Sequence, residues 1–495
     1  MRSYMQFIKN TKNVEISIFI FIIFIASFLR FYKLPHNMPF IGDQATEFIA
    51  AKDMALDGKI PLHGIHSSMP RFRQGPLYVW SLALFFKLFG YSVQNTSYYA
   101  AVMGILAVGF LYILTRKHFG RRIAFMASGI LAVSPMAVAH SQFSFIINPI
   151  PLVSVLYLSS LINYIKNKSK NIFLPTLLFG ILFQFELASA PLLGLIPIAF
   201  IYKEKLNKKN AINQAKHFLS GLLLGLLPQI LFDISNNFKQ LGMFVAWVGY
   251  RIISFFGYRA EHTISPYKLI NTIGIFQHFF HKFISWDSNI IFFIFIITLF
   301  MGIKNWISLP KKSKRPISLV FWWILLLTAG YFVHGSPAEA YFPALFIPLS
   351  LAFAWTFGNI TGKTPRSIAT LIIAGIMTFD FMFLVRTSIL STPIVAKDNN
   401  YGTTMWNPRL KVQLQAVDII KNKTNGPVNI KAIGPGSEFS SYLDNYRYLL
   451  WLNNVQISDD GITVWVTRGK ESLNPPFINT KSYPLEGTTI SIPIL

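Results

Sequence analysis

Long apolar runs separated by short polar segments dominate this sequence. A helix that crosses a bilayer needs roughly 20 mostly apolar residues, and about eleven stretches meet that requirement. They begin near Ile16, Ser97, Ile123, Pro151, Ile172, Pro191, Phe218, Asn289, Ser318, Phe342 and Ser367. The pattern predicts an α-helical polytopic membrane protein with about 11 transmembrane helices.

Basic residues occupy every second connection between these runs. If the N-terminus is cytoplasmic and each run crosses once, the inner connections carry Lys and Arg and only one acid, Glu204. These connections are residues 116–122, 163–170, 203–216, 304–315 and 363–366. Cytoplasmic loops show this bias, so we expect a multi-pass protein of the cell membrane with a cytoplasmic N-terminus. The first run is interpreted as a retained helix, because no small-residue cleavage site follows it.

The same topology leaves three sizeable segments on the outer side. The first covers residues 32–96, and its apolar stretch 77–89 is interpreted as an amphipathic helix at the outer surface. The second covers residues 235–288. In the third, after Arg386, a helical repeat at residues 410–420 accompanies strand patterns at 428–433 and 462–467. We therefore predict a membrane domain of residues 1–386 and a small extracytoplasmic C-terminal α/β domain of residues 387–495.

Composition narrows the classes of function. Of 495 residues, 53% are hydrophobic and only 13% are charged, too few charges to cover a soluble protein of this size. The net charge of +25 lies in short clusters rather than in one stripe, so membrane lipid, and not nucleic acid, is the expected partner. There is no cysteine, which excludes disulfides and thiolate metal sites. Phosphate-loop and dinucleotide motifs are absent, and we predict neither a cofactor nor a metal.

The first outer segment holds the strongest candidates for chemistry. Asp43 and Glu47 are four residues apart and would share one face of a helix. Asp43 is either the cap of a helix over 44–56 that ends at Gly58 or a carboxylate base at the membrane surface. Arg71 and Arg73 follow in the same segment. They either bind a phosphate bidentately or contact lipid headgroups.

These residues carry a resemblance. Gly42-Asp43, Gly58 and the segment Gly75-Pro76-Leu77-Tyr78 with Trp80 resemble the first outer loop of class C membrane glycosyltransferases. That group contains the protein O-mannosyltransferases and the aminoarabinose transferase of lipid A. The similarity is clear over about residues 15–165 and architectural beyond them.

The resemblance implies a glycosyltransferase within residues 1–386 that takes a sugar from a polyprenyl-phosphate donor. The acceptor would be a protein, lipid or glycan on the outer face, and the configuration at the sugar would invert. The family's catalytic Asp falls on Asp43, the expected general base. Arg71 and Arg73 would then bind the donor phosphate and stabilise its growing charge.

The sequence also departs from the family pattern. Gln44 stands where the family has a second acid, so Glu47 is the candidate replacement. Asn148, just before the run that begins near Pro151, lies near the place where several family members carry an Asp in their own second outer loop. Gly75 stands where the family has a Lys. Further candidates for substrate binding are Gln44, Tyr78, Asn148, Glu339 and Tyr341.

Two other hypotheses stay open at this stage. One is a transporter or lipid flippase, which predicts an inverted repeat and broken helices. The other is a transferase-like protein without activity. Glu186, between two apolar runs, is either functional or a loop residue. The pairs His63/His66 and His278/His281 are interpreted as packing rather than as metal ligands.

Overall fold

The computed structural model describes most of the chain. The described residues are 2–32, 34, 38–67, 69, 72–203, 208–256, 269–284, 289–335, 337–360, 362–386, 409–434, 437–468, 480–486 and 488–494. Arg71 and the connection at 387–408 lie outside them. Up to residue 386 every regular element among the described residues is a helix.

The helices of the first half begin with α1 and place the first outer segment between α1 and α4. Their bounds are α1 Arg2–Phe31, α2 Gly42–Asp57, α3 Leu77–Phe89, α4 Val93–His118, α5 Arg121–Val133, α6 Pro135–Ala139, α7 Ile150–Ile165, α8 Phe173–Phe185, a 3-10 helix Leu187–Gly194, and α9 Leu195–Tyr202. The break between α5 and α6 falls at Ser134-Pro135, because proline lacks an N–H and disfavours helical geometry in the residue before it.

The second half continues in the same way. Its helices are α10 Lys208–Gly225, α11 Leu227–Ser235, α12 Lys239–Phe255, α13 Leu269–Ile284, α14 Asn289–Ile307, α15 Lys311–His334, a 3-10 helix Glu339–Tyr341, α16 Pro343–Gly358 and α17 Lys363–Arg386. α16 is buried along almost its whole length. It packs against α5, α7, α14 and α15 at the centre of the bundle.

Four helices of the described chain are long and apolar enough to cross a membrane: Asn13–Phe31, Val93–His118, Lys314–His334 and Lys363–Arg386. Ala211–Gly225 and Leu227–Ser235 meet at 70° and add a fifth if they form one broken span. Shorter apolar helices of 10–17 residues stand at several of the other predicted runs, such as Ile150–Ile165 and Pro343–Gly358. The helical, multi-pass class is confirmed, and the count of eleven spans stays a prediction.

The tail forms a compact α/β unit that follows the predicted pattern. It contains α18 Leu410–Lys423, β1 Val428–Ile433, α19 Asp444–Leu452, β2 Ile462–Arg468, β3 Thr480–Leu485 and β4 Thr488–Pro493. The sheet order is β1-β2-β4-β3. β1 and β2 are parallel, which requires a crossover, and α19 lies in that connection. The domain boundary at residue 386 and the outer location of the unit stay predictions.

The tail unit docks on the first outer segment. Gln413 Nε2 donates to the Phe40 carbonyl oxygen at 2.8 Å, and the Tyr448 hydroxyl donates to the Tyr91 carbonyl oxygen at 2.6 Å. The rings of Phe40, Phe48 and Tyr448 pack together around these bonds. Buried aromatic contacts of this kind hold two elements in a defined geometry, so α2 and the tail unit form one packed region.

Candidate functional site

Asp43 lies in the first turn of α2, one residue after the helix begins. Its carboxylate is exposed, and Oδ1 accepts a hydrogen bond from the Ser441 hydroxyl of the tail unit at 2.7 Å. A negative charge is favoured at a helix N-terminus. The interpretation of Asp43 as the helix cap is wrong, because Ile41 is the N-cap residue and its backbone N–H donates to Gln44 Oε1 at 2.8 Å. The predicted end of the helix at Gly58, with φ 71°, is confirmed.

Gln44 and Tyr78 connect α2 and α3 to the segment before α7. Gln44 Nε2 donates to the Ser144 carbonyl oxygen at 2.6 Å, and the Tyr78 hydroxyl lies 2.6 Å from Ser144 Oγ. Both side chains are buried. Their polar atoms therefore hold the loop that contains Ser144 against the start of α2, and a role in substrate binding stays a prediction.

Asn148 also holds a loop in place through its side-chain hydrogen bonds. Its Oδ1 accepts from the Phe145 backbone N–H at 2.6 Å, and its Nδ2 donates to the His140 carbonyl oxygen at 2.6 Å. His140 Nε2 in turn lies 2.8 Å from Glu339 Oε1. Asn148 thus shapes the turn that carries His140, and the partly exposed Glu339 reaches His140 from the 3-10 helix before α16.

Glu47 lies one helical turn after Asp43 but points into the protein. The residue is 1% exposed, and neither carboxyl oxygen has a hydrogen-bond partner among the described residues. Burial, with the nearby Asp43 carboxylate, raises the pKa of Glu47 well above its usual range. The raised pKa favours the protonated, neutral form of the Glu47 carboxyl in the folded protein.

Replacing Glu47 by Gln is expected to preserve folding and to remove a pH dependence. A carboxyl with a raised folded-state pKa favours the fold most below its unfolded pKa of about 4.3, and that stability is lost progressively as pH rises towards the folded pKa. Thermal unfolding in detergent at pH 5 and pH 8 should show a smaller drop for Glu47→Gln than for the wild type. A folded Glu47→Gln protein that lacks activity would instead show that the Glu47 charge is required.

Arg73 lies in the loop between α2 and α3. Its backbone N–H donates to Gln240 Oε1 at 2.6 Å, and its guanidinium lies 3.3 Å from His63 Nδ1. Within the described part of the chain no carboxylate forms an ion pair with it. A half-buried cation without a carboxylate partner is suited to bind an anion.

His66 experiences the charges of both Arg73 and Asp43. Partial burial and the Arg73 charge lower the pKa of this imidazole, whereas the Asp43 charge raises it. His66 also pairs with Arg73 as an isolated β-bridge. The predicted base and the predicted phosphate ligand therefore both act electrostatically on His66, and Arg73 is also its backbone partner.

A cavity of about 810 Å³ opens next to the Arg73 loop. Its wall is mostly apolar and comes from α8, the 3-10 helix after α8, α10 to α12 and α15. Phe72 and Gln240, which flank and bind Arg73, belong to the wall, and so does the predicted substrate residue Tyr341. Apolar pockets of several hundred Å³ with a few polar groups are typical ligand sites.

Glu186 supplies one polar group of this cavity. It is the N-cap of the 3-10 helix, with Oε1 accepting from the Ala188 backbone N–H at 3.1 Å and from Gln74 Nε2 at 3.5 Å. Burial raises the pKa of the Glu186 carboxyl to about 7. Glu186 thus caps a short helix and faces the cavity next to the Arg73 loop, and a functional role for it stays a prediction.

Arg251 is a cation on the cavity wall that sequence analysis missed. It lies on α12, where it donates to the His334 carbonyl oxygen at 2.9 Å and stacks on Trp247 at 5.1 Å. Its Nε is buried without a partner among the described residues. The signal available in the sequence was one Arg within the aromatic stretch 243–258, but only the packing shows that it faces the cavity.

Among the described residues, no three His, Asp or Glu side chains form a group that could hold a metal ion. His63 contacts Phe232 and Arg73, as expected for packing. The side chains of His278 and His281 lie outside the described part of the structure.

The sequence is similar to a known protein family and to a bacterial protein. Residues 73–231 match the family model described as dolichyl-phosphate-mannose-protein mannosyltransferase. An uncharacterised protein of Aquifex aeolicus is 21% identical over 359 residues, which cover 65% of this chain and 72% of that protein. Asp43 precedes the matched family segment.

Two solved structures share the fold. ArnT from Cupriavidus metallidurans bound to undecaprenyl phosphate has a TM-score of 0.64 at 11% identity, with 96% of this chain and 97% of ArnT covered. The oligosaccharyltransferase AglB from Archaeoglobus fulgidus, in complex with an inhibitory peptide and a dolichol-phosphate, has a TM-score of 0.52 at 11% identity over 92% and 70%. The predicted resemblance to class C membrane glycosyltransferases is confirmed.

Proposed function

We propose that this protein is an integral membrane glycosyltransferase that transfers a sugar from a polyprenyl-phosphate donor to an acceptor on the outer face of the membrane. The observation that carries the proposal is the arrangement of the cavity, Arg73 and Asp43. The apolar cavity suits an isoprenoid chain. Arg73 lies in the loop at its edge, and the Asp43 charge acts on His66, the β-bridge partner of Arg73. The shared fold with ArnT, solved with undecaprenyl phosphate, supports the choice of donor.

The arrangement supports an inverting displacement. Asp43 accepts the proton of an acceptor hydroxyl, and the oxygen forms a bond to the anomeric carbon on the face opposite the phosphate. The bond between the anomeric carbon and the phosphate oxygen breaks, and the leaving phosphate keeps the electron pair. Arg73, with Arg251 on the cavity wall, stabilises the phosphate charge as it develops. Attack from the opposite face inverts the configuration.

The direct test uses the purified full-length protein in liposomes with a radiolabelled polyprenyl-phosphate sugar and a membrane extract as the acceptor source. We expect label to move from the lipid into a product that organic solvent does not extract with the donor. Label that stays on the donor under all acceptor conditions would contradict the proposal.

A lipid flippase is the second candidate, and one observation favours it. Helices α10 and α11 meet at 70°, and residues of this break, Leu226, Gln229 and Ile230, line the cavity. Broken helices at a binding site are common in transporters. In the same liposomes, movement of the labelled lipid between leaflets without transfer of label would select this alternative.

A further inference from the structure

The segment of the tail that precedes α19 lies directly on the start of α2. Besides the bond from Ser441 to Asp43, the Thr46 hydroxyl donates to Asp444 Oδ2 at 2.6 Å. A Cβ atom on Gly42 would overlap the Ser441 carbonyl oxygen. The two segments are in close contact, although Asp43 and Ser441 are 398 positions apart in sequence.

This contact belongs to a firmly docked interface. Asn445, buried and next to Asp444, donates to Gln413 Oε1 at 2.7 Å, and Gln413 bonds to the Phe40 carbonyl oxygen two residues before Gly42. Tyr448, one turn further along α19, lies among the rings of Phe40 and Phe48. Residues 441–448 therefore approach α2 in a fixed position, and the Ser441 hydroxyl is held in place beside the Asp43 carboxylate.

We infer that Ser441 of the tail unit is a positioning residue for the base, orienting the Asp43 carboxylate towards the acceptor hydroxyl. The inference rests on the proposed function. The bond from Ser441 is made to Oδ1 and restricts rotation of the side chain, so that Oδ2 is available to an acceptor hydroxyl. A carboxylate on an exposed first turn would otherwise sample several rotamers. Small errors in the placement of a reacting group have large effects on rate.

With this contact, the tail unit has a role in the proposed reaction. The part of the chain before residue 386 supplies the cavity, Arg73 and Arg251, whereas the tail unit supplies the group that fixes the base. The unit is therefore a component of the active site and not only an appended domain.

Ser441→Ala is expected to lower the turnover of the full-length protein in the liposome assay by about 10- to 100-fold. The apparent KM for the donor should stay unchanged, because Ser441 does not contact the cavity. Ser441→Thr keeps the hydroxyl and should restore most of the turnover. Ser440→Ala is the matched control, since Ser440 is the exposed neighbour in sequence. It should behave as the wild type.

Three comparisons separate positioning from docking. Thr46→Val removes a bond of the same interface without touching Asp43 and should keep most of the turnover; a loss equal to that of Ser441→Ala would overturn the inference. Gly42→Ala, whose Cβ displaces Ser441, should reproduce the Ser441→Ala defect. Asn445→Ala removes another polar side chain of the docked interface, which bonds to Gln413 and not to Asp43, and it too should keep more of the turnover than Ser441→Ala.

These experiments distinguish failure of the positioning role of Ser441 from failure of the proposed transferase function. Transfer by the wild type with unchanged turnover in Ser441→Ala would refute the positioning role alone. Absence of transfer by the wild type would refute the proposed function. Unfolding temperatures of all variants, measured in the same detergent, must match the wild type for these conclusions to apply.

Discussion

Replacing Asp43 by Asn is expected to abolish sugar transfer while the protein stays folded. General base catalysis contributes typically about 10²- to 10⁴-fold, and Asn cannot accept the acceptor proton. The fold should tolerate the change because Gln44, not Asp43, satisfies the N-cap. The amide oxygen of the substituted side chain can also still accept the bond from Ser441. The measurement is the initial rate of label transfer in liposomes, with thermal unfolding as the control for folding.

The same variant should keep its affinity for the donor, since Arg73 and the cavity are unchanged. Binding of a non-hydrolysable polyprenyl phosphate to Asp43→Asn and to the wild type should therefore agree. A rate near that of the wild type would show that Asp43 is not the base. Glu47 would be the next candidate, and the Glu47→Gln experiment above would decide whether that buried carboxyl can act.

Replacing Arg73 by Ala is expected to reduce kcat/KM for the donor by about 10- to 100-fold. A hydrogen bond to a charged group contributes roughly 1.5–3 kcal/mol. Because Arg73 has no carboxylate partner among the described residues, its guanidinium is available to the donor phosphate. Arg73→Lys keeps the charge but loses the planar pair of donors, so it should recover only part of the loss. A lower kcat would indicate contact with the developing charge, and a higher KM alone would indicate ground-state binding.

Lys59→Ala is the matched control for Arg73, because Lys59 is an exposed cation of the same outer segment that pairs with Asp57. It should leave the kinetics unchanged. If Arg73 contacted only lipid headgroups, Lys would substitute fully, and the effect of Ala would vary with the anionic lipid content of the liposomes. Arg71 can be tested in the same series.

Sequence patterns anticipated the elements better than their roles. The helix after Asp43, its end at Gly58 and the helix 77–89 follow from local spacing, and all three are present. The cap of α2 was misassigned because Asp is a common N-cap residue, whereas the side chain three positions into the helix, Gln44, bonds back to Ile41. Spacing placed Asp43 and Glu47 on one face, but only packing shows that Asp43 is exposed and Glu47 buried.

The sequence by itself determined the helical membrane class, the helical runs, the segment between the first two long runs that holds Asp43 and Arg73, and the α/β character of the tail. These properties depend on residues that are neighbours along the chain, and local periodicity records them. Tertiary structure decided that Arg251 from α12 and Glu186 share the wall of one cavity, and that Ser441 contacts Asp43. Such contacts join residues about 65 to 400 positions apart. They arise from how helices and the tail pack, which no local pattern specifies.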